Sequence, residues 1–299
     1  MEKKKKRFGD RRDATRVRDA DTMHLFMPFL MPNRADNEAV LSETVELDAI
    51  NEYLKELNAD SPAFKYTFFH VICAALAKTV ALRPKLNRYY AGHRLYDRDV
   101  ITLAFTVKRQ FTDGSDETLA IVKVDPDSDV SPIEQVHSQV EKIVTHARKE
   151  GKNDGATDAM GTLMKLPRPI LRLVMRCLRW MDYHDIYPKS FMEVDPYYCT
   201  MFVSNLGSIK MHAEYHHLTN WGTNSVFVVI NEKKLRPVFK EDGTYEMKDT
   251  LSLAITLDER IADGYYYSKS VNLLKEIVKN PKILAENIRT TDEAIEKYV

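Results

Sequence analysis

Apolar residues recur along the chain with the three-to-four-residue spacing of helices in several places. Residues 46–58 and 65–81 carry this spacing and predict two helices, the second more buried than the first. Ser131-Pro132-Ile133-Glu134 combines an N-cap, a first-turn proline and a capping-box glutamate, so it predicts the start of another helix. A closing helix is predicted over residues 266–278, because Pro281 follows it.

Segments rich in β-branched and aromatic residues predict strands between and after these helices. They are residues 101–107, 118–124, 199–204, 225–231, 235–240 and 245–256. Thr112-Asp113-Gly114-Ser115 predicts a turn after the first strand, and Glu241-Asp242-Gly243-Thr244 predicts the hairpin turn before the last. Helices and strands follow one another without a regular βαβ repeat. The pattern therefore predicts an α+β fold with a mixed or antiparallel sheet.

Residues 163–181 have a different pattern, with apolar residues on one face and arginines on another. The arginines are Arg168, Arg172, Arg176 and Arg179. A basic amphipathic helix of this kind can make weak contact with a membrane surface or cover a groove. It can also pack its apolar face on the core and expose its arginines to water. The sequence leaves these alternatives open.

Charge and composition restrict the classes of protein. Lys and Arg total 44, and Asp and Glu total 44, so the formal net charge is zero. Proteins that bind nucleic acid normally need a basic face, so we expect no nucleic acid as the main partner. The chain has no run of about 18 apolar residues that would predict a membrane span. Residues 2–19 hold nine Lys or Arg and four acids, which predicts a flexible basic arm over residues 1–21.

The basic arm is not followed by the apolar segment of a secretory signal, so we expect a cytoplasmic protein. Cys73, Cys177 and Cys199 are far apart and are expected to be buried, reduced thiols. The neighbouring His216 and His217 have no third ligand at metal-binding spacing. We therefore expect no metal site.

Two motifs about fifty residues apart point to a chemistry. Asp258-Glu259-Arg260-Ile261-Ala262-Asp263-Gly264 lies between a predicted strand and the closing helix, and Ser204-Asn205-Leu206-Gly207 follows an earlier strand. Together they resemble the chloramphenicol acetyltransferase-like superfamily, and especially the catalytic domain of 2-oxo acid dehydrogenase dihydrolipoyl acyltransferases. Those proteins carry a D-H-R-x-x-D-G stretch and an S-N-L-G or related motif. The resemblance covers roughly residues 22–288.

The resemblance implies a fold and an assembly. We expect a two-layer sandwich in which helices flank a mixed sheet, and homotrimers with the active-site channel between neighbouring subunits. The chain would then consist of the arm at residues 1–21 and an acyltransferase-like catalytic domain at residues 22–299. The basic helix at about residues 163–181 would be an insertion in that domain.

The resemblance also implies roles for single residues. In the family, a histidine accepts a proton from a thiol or hydroxyl acceptor, which attacks the acyl thioester of coenzyme A. Ser204 matches the serine that hydrogen-bonds the oxyanion. Asp263 matches a structural aspartate, for which Arg34 is the expected partner. Gly264 matches a turn glycine, at a position where a Cβ is not expected to fit.

The chain departs from the family at the histidine position, which holds Glu259. A free carboxylate is a weaker base than imidazole by about two pKa units. Burial would make Glu259 a stronger base, whereas contact with Arg260 would make it a weaker one. Three alternatives remain: Glu259 is a working base, His216 or His217 replaces it, or the site is inactive.

The sequence therefore predicts an acyl-coenzyme-A-dependent acyltransferase with Glu259 in the general-base position. The alternative is a catalytically inactive trimer that acts as a binding or scaffold protein. Coenzyme A is expected as the acyl-CoA cosubstrate. Only about 21 residues precede the region of resemblance, so we expect no lipoyl group on this chain. The acceptor is then a small molecule or a lipoyl group on another protein.

Overall fold

A mixed six-stranded sheet forms the centre of the fold in the computed structural model, which describes residues 6–108, 117–150 and 161–299. Its strands are β2 (Glu38–Glu46), β5 (Ile101–Lys108), β6 (Glu117–Val124), β7 (Met201–Asn205), β8 (Val226–Phe239) and β9 (Tyr245–Asp258). The order across the sheet is β2-β9-β8-β7-β5-β6. Strand β7 runs parallel to both neighbours, and the other pairs are antiparallel. The predicted α+β fold with a mixed sheet is confirmed. The turn predicted at residues 112–115 lies outside the described residues.

Helices cover one face of this sheet. They are α2 (Asp48–Leu57), α3 (Phe68–Leu82), α4 (Pro132–Glu150) and α7 (Gly264–Lys279). The main hydrophobic cluster lies between these helices and the sheet, and α3 is the most buried of them. The four helices agree with the predicted segments to within a few residues at their ends. The two-layer arrangement of sheet and helices is thereby confirmed.

The opposite face of the sheet is covered by a connecting segment instead of a helix. A second, smaller hydrophobic cluster joins Phe202, Phe227 and Val229 of the sheet to Leu206 and Leu218 of residues 206–224. This segment connects β7 to β8.

The last two strands form one long hairpin that extends past the rest of the sheet. A register shift between Ile230 and Lys233 explains why the hydrophobic pattern predicted two strands where the structure has the single strand β8. The predicted turn is confirmed, with Gly243 in the left-handed region (φ 83°). The outer half of the hairpin exposes large apolar side chains. These are Leu235, Phe239, Tyr245 and Met247.

A small antiparallel sheet lies beside the main one. Its strands are β1 (Ala14–Arg16), β3 (Arg88–Ala91) and β4 (Arg94–Arg98), in the order β1-β4-β3. Ala14 and the guanidinium of Arg11 are buried, and Arg11 binds the carboxylate of Asp182 at 2.7 Å. The predicted flexible arm is therefore wrong for residues 6–21, because ion pairs with distant acids neutralise its charge. Residues 1–5 lie outside the described part, and α1 (Thr22–Leu30) follows directly.

The predicted basic helix is present as α5 (Arg168–Tyr183) and is followed by α6 (Lys189–Val194). The last helix is the short α8 (Glu293–Glu296). Leu178 and Met181 pack α5 against a small cluster around Tyr198. A second row of apolar side chains on α5 faces solvent, and Cys177 is exposed, contrary to the expectation of buried thiols. No helix in the described ranges is both long enough and apolar enough to cross a membrane.

Candidate active site

Ser204 lies near the end of β7, on the wall of a cavity that reaches from the sheet face covered by residues 206–224 to Phe69 of α3 and Val140 of α4. The cavity has a volume of about 720 Å³ and is lined mainly by apolar side chains; we call it the Ser204 cavity. Phe202 and Phe227 lie on its sheet face, with stacked rings whose centroids are 5.0 Å apart. Among the described residues, none hydrogen-bonds the Ser204 hydroxyl. This hydroxyl is therefore available to a ligand in the cavity.

The Ser204-Asn205-Leu206-Gly207 motif ends β7 in a tight 3₁₀ turn at Leu206–Ile209. A Cβ at Gly207 would lie 2.6 Å from the carbonyl oxygen of Asn231 on β8, so only glycine allows this approach without a shift. The turn closes with a hydrogen bond from the Ser208 hydroxyl to the Asn205 carbonyl oxygen (2.8 Å). The motif thus directs the chain away from the sheet directly after Ser204.

The structure places both neighbouring histidines in the Ser204 cavity, which the sequence spacing did not indicate. The ring of His216 stacks on Phe227 at 3.8 Å between centroids and 5° between planes. Its Nδ1 lies 2.9 Å from the carbonyl oxygen of His217. Burial lowers the pKa of His216 from its ordinary value. No group of three His, Cys, Asp or Glu suited to a metal ion occurs in the described residues.

Two buried or half-buried side chains hold the loop that carries His216. Glu38, at the start of β2, accepts hydrogen bonds from the Tyr215 hydroxyl (2.7 Å) and from the backbone N–H of Leu218. Asn231 on β8 is fully buried and bonds both backbone groups of Ala213, at 2.7 and 3.1 Å. The loop is therefore fixed on both sides of His216.

The D-E-R part of the second motif forms a buried ion cluster at the end of β9. Asp258 is fully buried and accepts two hydrogen bonds from the Arg260 guanidinium, at 2.8 and 2.7 Å. The Nε of Arg34 lies 3.8 Å from the same carboxylate, and its terminal nitrogens bind backbone carbonyls. Two cations thus neutralise one buried acid, and the same guanidinium of Arg260 also binds the Met31 carbonyl oxygen at 2.9 Å.

This cluster corrects the partner predicted for Arg34. The expected partner was Asp263, but the structure places Arg34 against Asp258. The physical reason is burial, because Asp258 ends a central strand, whereas Asp263 caps helix α7 at the surface and accepts a hydrogen bond from the Tyr266 N–H at 2.8 Å. The cap lowers the pKa of Asp263.

The steric argument for Gly264 is also wrong. A Cβ built at this position has no atom within 4 Å, and the residue is the first of α7. The glycine that the local structure requires lies in the other motif, at Gly207.

Glu259 follows β9 and its side chain is exposed. Its backbone N–H binds the Asn37 carbonyl oxygen at 2.9 Å, which continues the pairing of β2 with β9. Within the described ranges, no hydrogen bond or ion pair engages its carboxylate. The Arg260 guanidinium points to Asp258, so the contact that would have weakened Glu259 as a base is not made.

The strand register gives the separation of Ser204 and Glu259 within one chain. Ser204 pairs with Val229, and Val229 pairs with Ala254 on β9. Glu259 lies five residues beyond Ala254 and two strands away from Ser204. Standard strand spacings then place the two residues about 20 Å apart. They cannot act on the same reacting atoms within one subunit.

The comparisons with known proteins agree with the two motifs. Residues 195–285 match the family model described as 2-oxoacid dehydrogenases acyltransferase (catalytic domain). This segment includes Ser204 and the D-E-R-x-x-D-G stretch. A search of curated protein sequences found no match.

Solved structures of acyltransferase cores share the fold. A probable dihydrolipoamide acetyltransferase from Listeria monocytogenes aligns at 15% identity and a TM-score of 0.57, over 90% of this chain and 92% of that one. Azotobacter vinelandii dihydrolipoamide acetyltransferase aligns at 14% identity and a TM-score of 0.57, over 88% of each chain. The cubic core of a pyruvate dehydrogenase multienzyme complex aligns at 13% identity and a TM-score of 0.57, over 90% of this chain and 94% of that one. The fold predicted from the resemblance is confirmed.

Proposed function

We propose that the protein moves an acyl group from acyl-coenzyme A to a thiol or hydroxyl acceptor, because residues 195–285 match the acyltransferase catalytic domain of 2-oxo acid dehydrogenases. The observation that carries the proposal is the Ser204 hydroxyl, which lacks a hydrogen-bond partner among the described residues and faces a cavity of about 720 Å³. Ligand pockets of this volume are typical of small-molecule sites. The cavity is large enough for the acylated end of the substrate and an acceptor.

The residues of the cavity suit a thioester reaction. Apolar side chains such as Phe105 and Phe202 exclude water from the reacting carbon, which limits hydrolysis. The Ser204 hydroxyl donates a hydrogen bond to the carbonyl oxygen as negative charge develops there. A single donor of this kind is worth about 10²- to 10³-fold in rate.

The finer part of the proposal concerns Glu259, which occupies the position of the family's general base. Its separation of about 20 Å from Ser204 in one chain means that it serves this cavity only from a neighbouring chain. Exposed apolar side chains on the β8–β9 hairpin and on α1, including Leu235, Phe239 and Phe29, support an assembly. We therefore propose homotrimers whose active sites lie between subunits.

The acceptor in this proposal is a small molecule or a lipoyl group on another protein. Coenzyme A leaves as the free thiol, and no metal takes part. We place the protein in the cytoplasm, which its three free cysteines support, since such thiols are typical of reducing compartments.

A second surface supports weak contact with an anionic membrane. Helix α5 exposes Ile170, Leu173 and Trp180 in one row, and arginines flank that row. Apolar side chains at the headgroup boundary and arginines near lipid phosphates favour such contact. Flotation with vesicles that contain phosphatidylserine tests it, and equal recovery with neutral vesicles would exclude an electrostatic contribution.

The rival proposal is an inactive trimer that binds or scaffolds other proteins. The replacement of the family's histidine by the exposed Glu259 favours it, because losing a general base costs about 10²- to 10⁴-fold in rate. Turnover distinguishes the two proposals. Acetyl-CoA and dihydrolipoamide are incubated with the protein, and free coenzyme A is separated and quantified.

The enzyme proposal expects protein-dependent coenzyme A formation and about 10²- to 10³-fold less with Ser204→Ala. Ser208→Ala is the matched control, because its hydroxyl binds the Asn205 carbonyl oxygen in the same turn. Equal rates for wild type and Ser204→Ala would remove Ser204 from the reaction. Binding of acetyl-CoA without turnover by any acyl-CoA or acceptor supplied would favour the scaffold.

A further inference from the structure

We infer that His216 is the proton-accepting base of the Ser204 cavity, and that Glu259 of a neighbouring chain, at the family's base position, assists it by its charge. The inference rests on the proposed acyl transfer and changes only the group that takes the proton. It follows from the position of His216 in the same cavity as Ser204, on the same chain.

The hydrogen bond of His216 fixes its tautomer. A carbonyl oxygen can only accept, so the 2.9 Å contact with the His217 carbonyl requires the proton of a neutral His216 ring to be on Nδ1. The other ring nitrogen, Nε2, then carries the lone pair. Within the described residues, Nε2 has no hydrogen-bond partner. Stacking at 3.8 Å between centroids holds the imidazole plane parallel to the Phe227 ring.

The strand register places this ring near Ser204. Val229 is the lateral partner of Ser204, and Phe227 precedes Val229 by two residues on the same face of β8. Standard strand spacings then separate the Cα atoms of Phe227 and Ser204 by about 8 Å. His216 covers Phe227, so the imidazole and the Ser204 hydroxyl lie on the same sheet face and line one cavity. Glu259, at about 20 Å from Ser204 in the same chain, does not share this arrangement.

Burial, more than any neighbouring charge, keeps His216 neutral near pH 7. Burial is the largest influence and lowers the pKa of His216, whereas the hydrogen bond to the His217 carbonyl raises it and the charge of His217 lowers it. Glu38 acts in the opposite direction. Lys108 from β5 and Tyr197 also line the cavity. A neutral imidazole with a free Nε2 is the form that can accept a proton.

The reaction step balances with this base. Nε2 of His216 removes the proton from the acceptor thiol or hydroxyl while the acceptor's sulfur or oxygen forms a bond to the thioester carbon. The carbonyl π electrons move to oxygen, where Ser204 donates its hydrogen bond. When the carbonyl reforms, the carbon–sulfur bond to coenzyme A breaks, and the imidazolium returns the proton to the departing sulfur. The products are the acylated acceptor and coenzyme A, with His216 neutral again.

The pH dependence of kcat/KM for acetyl-CoA and dihydrolipoamide tests the inference. Wild type is compared with His216→Gln, Glu259→Gln and His212→Gln. His212 lies on the same loop but does not line the cavity, so its replacement controls for the loss of a histidine there. Circular dichroism confirms that each variant is folded.

We expect His216→Gln to lower kcat/KM about 10²- to 10⁴-fold and to remove the decline in rate at acidic pH. Glu259→Gln should keep that decline and lower kcat/KM about 10- to 100-fold, as expected when a charge that a neighbouring chain brings near the developing imidazolium is removed. If the wild type is active and His216→Gln has the same kcat/KM, this inference is overturned and the proposed function is left intact. If only Glu259→Gln loses the decline in rate at acidic pH, Glu259 and not His216 is the base. A wild type without any turnover would overturn the proposed function and this inference together.

Discussion

The guanidinium of Arg260 binds the carboxylate of Asp258 through Nε and one terminal nitrogen, at 2.8 and 2.7 Å, and both side chains are buried. These two residues flank Glu259 in the sequence. Their ion pair directs both side chains inward and fixes the backbone between them. The carboxylate of Glu259 is left at the surface.

Asp258→Asn should destabilise the protein strongly. The change leaves the buried guanidiniums of Arg260 and Arg34 without their counter-charge, which typically costs about 3–5 kcal/mol. Urea denaturation measures the free energy of unfolding. The matched control is Asp263→Asn, which keeps a good N-cap on α7 and should cost less than about 1 kcal/mol. A larger loss at Asp263 than at Asp258 would contradict the assignment of Arg34 to Asp258.

The free energy of unfolding should fall as the pH decreases from 7 to 5. His70 is buried near Phe64 and His137, and burial lowers its pKa from 6.5 to about 4. Below pH 6.5 the unfolded chain therefore binds a proton that the folded protein does not bind. The stability that neutral His70 contributes is complete above pH 6.5 and decreases towards pH 4, by about 2 kcal/mol at pH 5.

His70→Gln tests this pH dependence. The imidazole Nδ1 accepts the N–H of Thr67 as part of a capping box, and a glutamine at the same helix position can keep that contact. Urea denaturation gives the free energy of unfolding at pH 8 and at pH 5. The loss of this free energy from pH 8 to pH 5 should be smaller by about 2 kcal/mol in the variant than in the wild type. An unchanged difference would show that other groups cause the loss.

Gly207→Ala should destabilise the turn after Ser204, whereas Gly264→Ala should not. The new Cβ at position 207 would lie 2.6 Å from the Asn231 carbonyl oxygen, so β8 or the turn must shift, at a cost of about 1–3 kcal/mol. At position 264 the Cβ has free space, and alanine favours helix formation by up to about 1 kcal/mol. Thermal unfolding of both variants checks the order. The reverse order would restore the steric argument for Gly264.

The hydrophobic pattern predicted the helices and central strands that fill the main core, but not β3 and β4, although Tyr90 and Leu95 enter it. It failed for the edge strand β2, whose residues are mostly half-exposed, so that apolar and polar residues do not alternate cleanly. It also failed for residues 6–21. Nothing near Arg11 in the sequence indicates that its partner is Asp182, because that contact spans 171 positions.

The site was predictable where a motif carries it and not where distant segments create it. Ser204 was found from its motif, and the structure places it on the cavity wall. His216 could not be placed, because β5, β7 and β8 come from separate parts of the chain and Glu38 and Asn231 hold its loop. The partner of Arg34 depended on which acid is buried, and local sequence does not reveal burial.

Mixed oligomers should show which site residues come from one subunit. If Glu259 acts in a neighbour's cavity, co-expressed Ser204→Ala and Glu259→Gln chains form some sites with both natural residues, about a quarter of all sites in randomly mixed cyclic trimers. Activity should then rise clearly above that of either variant alone. Ser204→Ala with His216→Gln should show no such rise, because one chain supplies both residues to its own cavity. Recovery by the second pair would show that Ser204 and His216 reach a shared site from different chains, contrary to the inference.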